Sequence, residues 1–92
     1  MSELKKQIIQ EEEGTYLITG LSKDEQKVLT NWITDPDENE YTGNIGWGQW
    51  TLSNNETVYM LECINVRSGS EAIIEFATEE LGCEHIFQDN EE

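Results

Sequence analysis

The chain has 92 residues, 20 of them acidic and 5 basic, for a formal charge of −15. That length supports one modest core, and such a charge repels DNA, RNA and anionic membranes while it attracts basic surfaces. No apolar run approaches the ~18 residues of a membrane span and no basic-then-apolar leader opens the chain, so the expectation is a cytoplasmic protein whose two cysteines stay reduced.

The charge is uneven. Residues 1–27 hold six acids and four bases, whereas residues 28–92 hold fourteen acids and one base, Arg67. Residues 1–14 read as an N-terminal extension, 15–88 as a single α+β domain and 89–92 as an acidic tail.

Within the extension, Leu4, Ile8 and Ile9 stand at helical spacing in Ser2–Glu13 and predict a short helix. The competing reading is a strand at Gln7–Gln10 that turns back through Glu12–Gly14. Thr15–Leu21 is β-branched and aromatic and predicts a strand. Ser22 and Glu25 have capping-box spacing, and the helix they open, Lys23–Thr34, places Val28, Leu29, Trp32 and Ile33 on one face. Asp35-Pro36 stops it, because a residue before proline is biased away from helical dihedrals. Asp35–Asn44 is then a polar loop.

Ile45–Ser53 predicts a strand weakened by Gly46 and Gly48. Thr57–Val66 is the most apolar strand of the chain and is expected to be central. Arg67–Gly82 predicts the second helix: Ser68 and Glu71 again have capping-box spacing, Ile73, Phe76, Ala77 and Leu81 form the apolar stripe, and Gly82 suits a left-handed stop. Cys83–Gln88 reads as a last strand. The order after residue 14 is β-α-β-β-α-β, which predicts a ferredoxin-like two-layer sandwich with an N-terminal helical extension.

Three constellations could carry chemistry. Asp35-x-Asp37-x-Asn39 opens like a calcium loop, but Glu40 and Gly46 occupy the positions where that loop needs its glycine and its bidentate glutamate. Cys63, Cys83 and His85 are the only Cys and His residues, one short of a structural zinc set. No orienting third group marks a thiol nucleophile. Neither catalytic residues, metal ligands nor a cofactor are therefore expected.

The third constellation is charge. Glu71, Glu75 and Glu79 recur every four residues with Glu80 alongside, a row of carboxylates with a rise of ~6 Å per step. Like charges at that spacing cost helix stability, roughly 0.2–0.5 kcal/mol per pair. Asp35, Asp37, Glu38 and Glu40 form a second acidic patch. Trp47, from the string GNIGWGQW, is a candidate anchor, since Trp47 and Trp50 must face opposite sides of a strand.

In size and charge the chain resembles the small acidic inhibitors that phages direct against nucleases and other defence proteins, and the acidic immunity proteins that neutralise basic toxins. No stretch carries a family signature. The expected function is a non-enzymatic binder whose carboxylates occupy the nucleic-acid-binding surface of a basic protein, without direct contact to nucleic acid or membrane. Its rivals are an immunity-type inhibitor of a toxin or nuclease, a small thiol- or metal-dependent enzyme or regulator, and an assembly protein whose acidity serves solubility.

Overall fold

A computed structural model of the protein describes residues 5–12, 14–63 and 66–87. Five strands form one sheet: β1 (Gln7–Glu12), β2 (Thr15–Thr19), β3 (Gly46–Thr51), β4 (Thr57–Glu62) and β5 (Glu84–Phe87). Two helices join them, α1 (Lys23–Thr34) between β2 and β3, and α2 (Arg67–Glu75) between β4 and β5. A 3-10 turn, Thr42–Asn44, precedes β3, and a π turn, Phe76–Glu80, continues α2. Among the described residues no helix is long and apolar enough to cross a membrane. The acidic tail 89–92 lies outside the described residues.

The first correction concerns the amino-terminal segment. Gln7–Glu12 is a strand, so the expected helical extension is absent over those residues and the competing hairpin reading describes them. Ile8 pairs with Ile18 and Ile9 with Leu17, which places two β-branched residues on opposite faces of the sheet. Pairing on both sides outweighs the helix propensity of the neighbouring Gln, Glu and Lys residues. A bulge between Gln10 and Glu12 adjusts the register before the turn into β2.

The fold class is corrected with it. The sheet order is β3-β4-β2-β1-β5, and β5 runs parallel to β1. A ferredoxin-like sheet has four antiparallel strands and would set β5 directly against β2. Here β1 occupies that place and forms hydrogen bonds to both neighbours, so the ferredoxin-like assignment does not hold. The protein is a five-stranded mixed sheet with both helices on one face.

The core lies between that face and the helices. Ile8, Tyr16, Ile18, Tyr59 and Leu61 from the sheet meet Leu29 and Ile33 of α1 and Ile73 and Ala77 from α2 and its π turn, all 0–2% exposed. The Tyr16 hydroxyl hydrogen-bonds the Ser70 hydroxyl, which fixes the first turns of α2 over β2. Lys6 and Glu25 form an ion pair at 2.6 Å that ties the approach to β1 to the start of α1. The opposite face carries Ile86, Ile9, Leu17 and Met60 in one register row, each half-buried, with Val58 and Trp50 beside it.

The two helix starts differ. At α1 the capping box forms: the Ser22 hydroxyl accepts the Glu25 N–H at 3.2 Å, and the Ser22 N–H donates to Glu25 at 2.9 Å. At α2 it does not. The N-cap is Val66, without a side-chain hydrogen bond, and Ser68 lies inside the helix. The Val66 carbonyl instead accepts the N–H groups of Gly69 and Ser70 at 3.1 Å and the Cys63 thiol at 3.4 Å. Gly69 sets this start, because a Cβ there would stand 2.6 Å from Cys63 Sγ and 3.2 Å from Tyr41 Cγ. The backbone of α2 can approach β4 and the 35–45 connection this closely only without a side chain. The stop follows the sequence reading: Gly82 has φ +76°, the left-handed turn that releases the chain toward β5.

Candidate functional site

Asp35 ends α1 and organises the loop after it. Its carbonyl accepts the N–H groups of Glu38 and Asn39 at 3.0 Å, and its carboxylate accepts the Asp37 N–H at 2.9 Å. Asn39 repeats the device one turn later: its Oδ1 accepts the Tyr41 N–H at 2.9 Å and its carbonyl accepts from Thr42. Of the three side chains that suggest the opening of a calcium loop, Asp35 and Asn39 thus each have an oxygen engaged by the loop's own backbone. Winding of this kind turns Asp37, Glu38 and Glu40 out to solvent.

The other wall comes from α2. Its regular turns end at Glu75, and the backbone widens by one residue: the Leu81 N–H donates to the Phe76 carbonyl at 3.3 Å, while Cys83 donates to Ala77 at 2.9 Å. Such π turns change the direction in which successive side chains leave the helix. The regular row of Glu71, Glu75 and Glu79 is accordingly interrupted. Glu71 borders a separate small hollow with Gln10, Tyr16, Arg67 and Ser70. Glu75, Glu79 and Glu80 border a groove of about 460 Å³ together with Asp37, Glu38 and Glu40.

Trp32 and Phe76 lie at the base of this groove. Their rings stack at 4.4 Å between centroids with 11° between planes, joining α1 to the π turn. Both border a second, adjoining hollow as well, with Val28, Asn31, Thr34, Asp35, Glu38 and Glu80. The two acidic segments, 35–40 and 75–80, are far apart in sequence and stand on one composite cleft. No Lys or Arg among the described residues borders it. The aromatic base, with Pro36 and Tyr41, is not marked as part of a site by the sequence, which singles out Asn39 only through the calcium-like string. Its signal was present in Trp32 and Phe76, two large rings at the margins of two different helical stripes.

Trp47 lies elsewhere. It is on the edge strand β3, 38% exposed, and stacks on Tyr59 at 6.1 Å on the helix-bearing face. Trp50 points to the opposite face and is 51% exposed. Cys63 and Cys83 are free, buried thiols. They flank β4 and β5, and with β2 and β1 between them those strands are about 14 Å apart, one spacing further than the expected order implied. Burial pushes the Cys83 thiol up to about 11. His85 Nε2 is 3.3 Å from Gln10 Oε1, and its ring leans on Phe87.

Comparison with known proteins finds no matching family model, no matching curated protein and no matching solved structure.

Proposed function

We propose that this protein binds a basic protein, one that itself binds nucleic acid, and that the cleft between residues 35–40 and 75–80 is the contact surface. The observation that carries the reading is convergence: two acidic segments from different parts of the chain border one groove over an aromatic base. Crowded carboxylates without cations between them oppose folding, a cost that contact with a cationic partner offsets. A basic surface that releases counterions when it binds phosphates gains in the same way from a cluster of fixed carboxylates. The protein then acts as a non-enzymatic competitor of nucleic acid in the cytoplasm.

The test is affinity capture from a lysate of the source cell on three immobilised proteins: wild type, Glu38→Lys with Glu79→Lys in the groove, and Glu62→Lys with Glu84→Lys elsewhere. Wild type and the distant variant are expected to retain the same nucleic-acid-binding protein, released by NaCl at about 0.3–0.5 M as screening shortens the Debye length. Excess duplex should displace it. Equal retention by the groove variant would refute the reading and leave the acidity to solubility.

A further inference from the structure

We infer that the groove is an arginine-binding site: it takes the guanidinium of a peptide arginine against Trp32 and Phe76, between the two carboxylate walls. This rests on the reading above and narrows it from a basic surface to one side chain. Four features support this assignment, and the first two favour a guanidinium over an ammonium. Carboxylates border the groove from the loop side, Asp37, Glu38 and Glu40, and from the helix side, Glu75, Glu79 and Glu80. A planar fork of N–H donors can address carboxylates on two sides at once, whereas an ammonium is a compact, strongly hydrated charge. The base of the groove is a stacked aromatic pair that is only partly buried, and a guanidinium stacks flat on a ring face that the pair leaves uncovered. The volume, about 460 Å³, falls in the ~300–1,000 Å³ range of ligand sites.

The fourth feature is independent of charge and indicates that the arginine arrives on a polypeptide. Asn39 is among the residues that line the groove, is 3% exposed, and has its Oδ1 committed to the Tyr41 N–H. Its Nδ2 is buried without a hydrogen-bond partner. A buried donor left unpaired is costly, and the acidic groove already supplies acceptors of its own that do not reach it. A peptide carbonyl beside the bound arginine would satisfy this donor once the Asn39 amide turns its enclosed Nδ2 toward the groove. A free cation would not.

The test uses the full chain and labelled hexa-arginine and hexa-lysine peptides, with binding followed by fluorescence anisotropy in 0.15 M NaCl. Hexa-arginine is expected to bind at least about fivefold more tightly than hexa-lysine. Glu38→Gln with Glu80→Gln should weaken hexa-arginine about tenfold, and Glu62→Gln with Glu84→Gln, equal in charge but outside the groove, less than about twofold. The Asn39 side-chain amide resonances should move on addition of the arginine peptide and stay in place with guanidinium chloride.

Equal affinity for both peptides, with both weakened by the groove variant, would overturn the arginine proposal and leave the basic-partner reading standing. Equal losses in the two double variants would overturn the site. Failure of both peptides to bind would overturn both readings. Asn39 resonances unmoved by the arginine peptide would overturn the peptide carbonyl contact.

Discussion

Replacing Gly69 by Ala tests how closely α2 is seated. In an unobstructed helix this change stabilises by about 0.8–1.0 kcal/mol, because Gly is the poorer helix former. At Gly69 the new Cβ would meet Cys63 Sγ at 2.6 Å and Tyr41 Cγ at 3.2 Å. Both neighbours belong to packed surroundings, Cys63 being 1% exposed. Overpacking a closed core costs typically 1–3 kcal/mol, so Gly69→Ala should lower stability by about 1 kcal/mol net. In a chain of this length that is a fall in Tm of about 4–8 °C. A double-mutant cycle with Cys63→Ala separates the two contributions, since removing Sγ frees most of the required space. Gly69→Ala should then change sign and stabilise the Cys63→Ala protein by up to about 1 kcal/mol. Urea unfolding of the four proteins, followed by circular dichroism, measures the cycle. A stabilised Gly69→Ala single variant, or a cycle without coupling, would refute the close approach of α2 to β4.

Glu75→Lys with Glu79→Lys should raise the free protein's stability by about 0.5–1 kcal/mol in low salt and weaken capture of a basic partner, measured by thermal melting and by pull-down. A variant that is more stable yet binds at full strength would mark these residues as a solvated face. In the wild type, Tm should rise as NaCl screens the −13 carried by residues 28–92. The Lys6 ammonium, with the Ser22 N–H, holds Glu25 below its ordinary value of 4.5. The stability this supplies is present above pH 4.5 and lost as pH falls through the folded pKa, so Lys6→Met should flatten that part of an acid titration. Because the Cys83 thiol is pushed up to about 11, the folded state keeps its proton longer than the unfolded chain. Stability should therefore fall between about pH 9 and 11, and a thiol reagent at neutral pH should label Cys83 only after denaturant is added.

Local signals identified both helices, since apolar spacing and stop residues, and at α1 the capping box, act within a few positions. Lys23–Thr34 and the Gly82 turn were legible for that reason. The role of residues 7–12 was not, because Ile8 and Ile9 fit a helix or a strand equally well and the outcome depends on Thr19 and Glu84 pairing on either side of Gln7. That partnership is tertiary, and with it went the sheet order. The acidic residues of the groove were visible as charge, whereas their convergence was not: it depends on the π turn at Phe76–Glu80 and on the stacking of Trp32 with Phe76, neither of which has a local marker. The failed cap at Ser68 has a similar origin, because contact of Gly69 with Cys63 and Tyr41 overrides a suitable S-x-x-E string.

The position of β1 also orders folding in time. Gln7 pairs with Thr19, twelve positions on, and with Glu84, seventy-seven positions on. Closing the longer loop costs about 1.5 kcal/mol more entropy than closing the shorter one, at about 0.6 kcal/mol for each doubling. The β1–β2 hairpin can therefore form early, but until β5 arrives one side of β1 stays an unpaired strand edge. When chains are crowded, an edge in that condition can recruit the β5 of a neighbouring chain in place of its own. During synthesis at high concentration, strand exchange between copies through β5 is the misassembly to which this topology is most exposed.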